Sequence, residues 1–164
     1  MGQRLDMFSA RIIRAEEAMA VLGLVRLCYP EIEPQAWRAH LARLGRGRAS
    51  RAGCVVVSDQ RGYTHAACLY RILPDPGAGR RLEISYLAKA DLPASTATEV
   101  LFAFVDELAQ AQRCKAIVVH DSQARIARDA LATWTDLGDD LAAHHFRPGA
   151  IGFEKAVAPA PLAG

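Results

Sequence analysis

Glu83 and His120 are the side chains of this sequence best suited to moving a proton. Glu83 lies in the stretch Arg81–Lys89, where Leu82, Ile84, Tyr86 and Ala88 alternate as one face of a strand and leave Glu83 on the other. A carboxylate there can take a proton from an ammonium, directly or through water, or it can simply pair with a neighbour such as Arg71 or Arg81. His120 ends the apolar run Ala116–Val119, beside Asp121 and Ser122. Imidazole is a natural base near neutral pH, and a hydrogen-bonded structural histidine is the competing reading. The pair His144-His145 does not suggest a metal site, because adjacent side chains diverge and no third ligand is in view. Cys28, Cys54, Cys68 and Cys114 lie far apart without ligand spacing, so buried, reduced thiols are expected and zinc is not.

The elements around these residues form a recognisable unit. Arg81–Lys89 reads as a strand and Thr96–Ala111 as a helix, with Ala97, Val100, Leu101, Phe104, Val105 and Leu108 in one apolar stripe. Cys114–His120 reads as a second strand, covered on both faces. Strand, helix and strand in this order predict a right-handed crossover between parallel strands. Ligands of open α/β sheets sit beyond the carboxyl ends of the strands, a place built here by Leu87–Thr98 and His120–Ser122.

The rest of the chain supplies further strands and helices. Phe8–Arg14 predicts a first strand, and Ala15-Glu16-Glu17 opens a helix whose inward positions are Ala18, Leu22, Val25 and Tyr29. Pro30 stops that helix, and Pro34 begins another with Trp37, Leu41 and Leu44 buried. Cys54–Ser58 and Thr64–Leu73 pair across the turn Asp59–Gly62, and Pro74–Gly79 turns into Arg81–Lys89, giving an antiparallel meander. Gln123–Ala143 is expected to be a long helix, loosened near Gly138. His144–Pro148 and Ala150–Ala156 close the sheet, and the tail from Ala158 is expected to be disordered.

With 164 residues, 51% of them hydrophobic and 23% charged, the chain suits one soluble domain, 1–157, with 158–164 as tail. A net charge of +2 with scattered basic residues argues against nucleic acid. Only Lys89, Lys115 and Lys155 are lysines, and with the abundant alanine this reads as a bacterial-type composition. No apolar run approaches the roughly 20 residues that cross a bilayer, so no membrane partner is expected. Met1–Asp6 lacks the apolar block of a leader, and Asp6 stands where an acylation signal wants Ser or Thr, so a cytoplasmic location is expected.

The order β-α-α-β-β-β-α-β-α-β-β resembles the GNAT family of N-acetyltransferases from Phe8 to about Val157. Leu82–Leu87 resembles that family's fourth strand, Thr96–Ala111 the helix after it, and Phe146-Arg147-Pro148 with Gly152–Lys155 its terminal strands. The resemblance implies an α/β fold with a mixed central sheet and helices on both faces. It also implies acetyl-CoA or another acyl-coenzyme A as donor, its pantetheine arm admitted where the fourth strand splays from the fifth. Backbone groups of Tyr86, Leu87 and Ala88 would then hold the thioester, and Ser95, Thr96, Ala97 and Thr98 the pyrophosphate.

The family motif Arg/Gln-x-x-Gly-x-Gly/Ala falls on Pro93–Thr98, where both glycines and the arginine are absent, so this would be a divergent member with a degenerate pyrophosphate loop. Thr96–Glu99 reads as a capping box that consumes N–H donors and sets a carboxylate against an incoming anion. Leu141 or Trp134 falls where the family often has a general-acid tyrosine. The resemblance implies transfer of an acetyl group to the amine of a small molecule or peptide, with Glu83 and His120 as catalytic candidates. The alternative is a catalytically inactive GNAT-like binding or regulatory module, as a monomer or a homodimer.

Overall fold

The computed structural model describes residues 7–45, 51–77, 79–90, 96–120, 124–127, 134–149 and 152–159. Its strands are β1 (Phe8–Ile13), β2 (Ala52–Asp59), β3 (Thr64–Asp75), β4 (Gly79–Ala90), β5 (Ala116–His120), β6 (Ala124–Ala127), β7 (Arg147–Pro148) and β8 (Gly152–Ala156). Its helices are α1 (Ala18–Cys28), α2 (Pro34–Gly45), α3 (Ala97–Ala111) and α4 (Trp134–Ala143), with a 3-10 turn at Ala15–Glu17. The sheet runs β1-β2-β3-β4-β5-β8-β7, and β6 pairs with β4. β1 to β4 form an antiparallel meander, and β5 lies parallel to β4, as the α3 crossover requires.

The two sheet faces bury two separate cores. On one, Val55, Cys68, Tyr70, Leu82, Ile84, Leu87, Ile117 and Val119 pack under α3, whose Leu101, Phe102 and Val105 point inward, with Leu141 of α4 and Phe146. Phe102 and Ala109 are buried beside the expected stripe, while Val100, Phe104 and Leu108 only flank the core. On the other, Cys54, Val56, Ala67, Leu69 and Ala88 meet Val21, Leu22 and Val25 of α1 and Trp37, Leu41 and Leu44 of α2. Trp37 keeps a hydrogen bond in that core, its indole N–H donating to the Ala18 carbonyl at 2.9 Å. All four cysteines are buried and none is in a disulfide, and burial pushes Cys54 up to about 12.

Two expectations need correction. The first is strict alternation along β4. Leu82 and Ile84 do face α3, but Tyr86 sits at φ +50° and the register to β3 slips there, with Leu69 opposite Ser85 and Ala67 opposite Ala88. Two β4 residues, Tyr86 and Leu87, thus stand across from Cys68 alone, which is a β-bulge. Past it the faces exchange: Leu87 joins the α3 core while Tyr86 and Ala88 turn towards α1 and α2. The second is the helix over Gln123–Ala143. Ala124–Ala127 is a strand and α4 covers Trp134–Ala143, while residues 123 and 128–133 lie outside the described residues. An apolar segment this short satisfies its backbone on an open strand edge as readily as in a helix. Residues 160–164 of the expected disordered tail lie outside the described residues.

Candidate functional site

β4 places Glu83 and Ser85 on the α1/α2 side of the sheet, and β5 ends with His120 on that same side. Glu83 is opposite Val118 in the parallel ladder, so His120 follows two residues further along the neighbouring strand. The Glu83 carboxylate bridges two partners. Its Oε1 accepts hydrogen bonds from Arg81 at 2.8 Å from Nε and 2.7 Å from Nη2, and its Oε2 lies 3.0 Å from His120 Nε2. Of the two arginines considered for Glu83, Arg81 is the partner; Arg71 stands across the ladder from Glu83 without bonding it. With Nε2–H donating to the carboxylate, the ring of His120 leaves Nδ1 as its proton acceptor. The Glu83 side chain is 15% exposed and that of His120 29%, so the pair is sheltered yet reachable.

A cavity of about 340 Å³ opens over this pair, lined by His40, Leu44, Arg71, Ser85 and Tyr86 as well as Glu83 and His120. Tyr86 is its wall, held edge-on between Tyr29 at 5.4 Å and His40 at 6.1 Å between ring centroids. The Tyr29 hydroxyl donates to the Leu87 carbonyl at 3.1 Å, so the end of α1 pins the bulge from above. Burial lowers the pKa of His40, and the nearby cations Arg43 and Arg71 lower it further, which keeps this imidazole neutral. Neither His40 nor Arg71 stood out in the sequence as a site residue; the only signal was the face that each shares with its element.

The residues expected to hold the donor divide into two groups. At Leu87–Ala90 the β4 edge is already paired, in parallel, with Ala124–Ala127. At the N-terminus of α3, Thr96 is the N-cap but makes no side-chain capping bond, and its buried Oγ1 has no hydrogen-bond partner. The expected Thr96–Glu99 capping box is therefore absent. Thr96 takes φ −99° and ψ 12°, outside the extended region that aims an N-cap hydroxyl at the next turn. Ala97 is buried, Thr98 is half-buried, and Ser95 lies outside the described residues. An orphaned hydroxyl at a helix N-terminus suits a phosphate oxygen. Of Leu141 and Trp134, which the resemblance puts where the family often has a general-acid tyrosine, Leu141 is fully buried and has no proton to give, and the side chain of Trp134 lies outside the described residues. His144 stacks on Phe102 at 4.8 Å, and no cluster able to hold a metal occurs among the described residues.

Comparison with solved structures gives this arrangement its place. An aminoglycoside N-acetyltransferase solved with CoA superimposes at TM-score 0.67 and 13% identity, covering 87% of this chain and 90% of its own. A GNAT-family acetyltransferase from Desulfovibrio desulfuricans matches at TM-score 0.64 and 14% identity, covering 92% and 98%. The chain has the GNAT fold. A GNAT-family N-acetyltransferase from Escherichia coli, also solved with CoA, matches at TM-score 0.55 and 19% identity over 93% of this chain and 82% of that one. No family model and no curated protein matches the sequence. The GNAT fold thus persists here at identities where sequence comparison finds nothing, because fold is carried by burial pattern and topology rather than by particular residues.

Proposed function

We propose that this protein is an N-acyltransferase that moves an acyl group, acetyl in the simplest case, from an acyl-coenzyme A to an amine. The observation that carries the reading is the Glu83–His120 pair at the floor of a cavity, with Arg81 holding Glu83 from behind, beside the bulge where β4 parts from β5. An amine reaches the site as an ammonium and must lose a proton before its lone pair can form a bond. His120 Nδ1 is the acceptor for that proton, and Glu83 stabilises the imidazolium that results. Glu83 has both oxygens engaged, so it acts as a positioning residue and His120 as the base. Acyl-coenzyme A, when bound, supplies the acyl group activated as a thioester. The α3 N-terminus with Thr96, Ala97 and Thr98 would receive its diphosphate, and backbone groups around Tyr86–Ala88 its thioester end. This reading rests on the GNAT fold, on the cavity and on the orphaned Thr96 hydroxyl.

One observation favours the second reading, a GNAT-like module without donor binding. The β4 edge at Leu87–Ala90 is taken by Ala124–Ala127, so its backbone groups are already committed. Thermal melting with and without coenzyme A tests the first reading. A ligand at 100 times its dissociation constant stabilises by about 2.7 kcal/mol. Amide hydrogen exchange in the same samples tells where it goes. An acyltransferase keeps Leu87–Ala90 protected while Ala124–Ala127 becomes exposed; the binding module shows no change in either strand or in melting temperature.

A further inference from the structure

The cavity over His120 holds one cation that the proton-moving chain does not use. Arg81 is bound twice to Glu83, and Glu83 is bound again to His120, so these charges are committed to each other. Arg71 is not. It lines the same cavity from β3 and has no carboxylate partner among the described residues. Burial first, and then Arg43 and Arg71, disfavour a proton on His40, which places a second cation near that ring. The remaining wall, Leu44, Leu69, Tyr70, Ser85, Tyr86 and His40, carries no acidic side chain.

We infer that Arg71 recognises an anionic group on the acceptor, so that the amine substrate of this site carries a carboxylate or phosphate. This rests on the acyltransferase reading for the word substrate; the anion site itself stands on the cavity and its charges. Arg71 and Glu83 are partners across the β3–β4 ladder, which sets their Cβ atoms roughly 5 Å apart. An acceptor spanning from the Arg71 guanidinium to His120 is therefore short, with amine and acidic group a few bonds apart. A cavity of about 340 Å³ sits at the small end of ligand sites and suits such a molecule rather than a folded partner. Guanidinium binds carboxylate and phosphate through paired N–H donors, which lysine cannot reproduce.

Calorimetric titration of the full chain, without any acyl donor, tests this with two matched probe pairs: β-alanine against propylamine, and phosphoethanolamine against ethanolamine. The acidic member of at least one pair should bind about tenfold tighter or better than its neutral counterpart, and the pair that shows it distinguishes carboxylate from phosphate. In Arg71→Gln that preference should vanish with the melting temperature unchanged, because the side chain is exposed. Arg71→Lys should keep part of it. Equal binding within both pairs, no binding of either acidic probe, or a preference that survives Arg71→Gln overturns the inference. Acetyl transfer from acetyl-CoA to a broad amine panel separates the two proposals. Acidic preference without transfer keeps the anion site and sinks the enzyme, whereas transfer indifferent to acidic groups does the reverse.

Discussion

The two halves of β4 belong to one strand and behave as two different elements. From Arg81 to Ile84 it pairs with β5 and alternates, with Leu82 and Ile84 in the α3 core and Glu83 in the cavity. From Leu87 to Ala90 it pairs with β6, its core face is inverted, and its carbonyls receive side chains from the end of α1 and its C-cap: Tyr29 Oη on Leu87 and Cys28 Sγ on Lys89. Ser85 and Tyr86 separate them, and the change of face falls at Tyr86. A non-glycine residue in the left-handed region costs roughly 1–2 kcal/mol, and here the clamp of Tyr29 and His40 around the ring holds it there. Strain at one residue thus places side-chain chemistry on one half of the strand and backbone pairing on the other.

The largest effect that can break this comparison lies in the first half. If His120 is the base and Glu83 its support, His120→Gln should slow acyl transfer by about 10²–10⁴-fold, and Glu83→Gln should act in the same direction by less. Both variants should melt near the parent. Transfer rates at saturating donor check this, and an undiminished rate in His120→Gln removes the proton chain from the mechanism.

Inversion of the second half gives the next largest effect. Leu82 and Leu87 are both fully buried in the α3 core, so Leu82→Ala and Leu87→Ala should each cost about 2–5 kcal/mol in denaturant unfolding. An uninterrupted strand would set Leu87 beside Glu83 and Ser85, facing the cavity, where truncation costs far less. A small loss at Leu87 alone would mean that the bulge is misplaced.

Tyr29→Phe probes the clamp. It keeps the ring against Tyr86 but leaves the buried Leu87 carbonyl without that donor, at a cost of about 1–2 kcal/mol. The loss should be accompanied by faster amide exchange at Leu87–Ala90 and none at Arg81–Ile84.

The smallest effect is a pH dependence of stability. His40 borders the cavity and His144 stacks on Phe102, and burial is the main reason that both titrate below the ordinary 6.5. The unfolded chain therefore takes up protons first as pH falls. Stability is full above 6.5 and declines through the interval down to the lowered folded values. His40→Asn and His144→Asn should each flatten melting temperature against pH in that interval; an unchanged slope in both would assign the dependence elsewhere.

Much of the fold was legible because it depends on local pattern. Pro34 at the start of α2, the Asp59–Gly62 turn and the α3 stripe each follow from residue types a few positions apart. Glu83 and His120 were legible as candidates for the same reason: Glu83 alternates with the apolar residues of β4 and His120 ends the apolar run of β5. The missed features are non-local. Arg81 rather than Arg71 bonds Glu83 because the carboxylate turns along its own strand instead of across the ladder. Ala124–Ala127 joins β4 because the bulge and the end of β5 leave an edge open there, which nothing within Gln123–Ala143 announces.

The sequence by itself determined the meander, the crossover, the amphipathic helices that cover the sheet, and two titratable candidates, Glu83 and His120, on neighbouring strands. Those follow from periodicity and from the chirality of L-residues, which act over a few positions. Only the tertiary structure decided that Glu83 and His120 touch, that Arg71 is left over, that Thr96 does not cap its helix and that β4 changes face at Tyr86. Each of these depends on which backbone and side-chain groups find partners on distant elements. That competition is settled by packing, where burying an unpaired polar group costs more than a local preference returns.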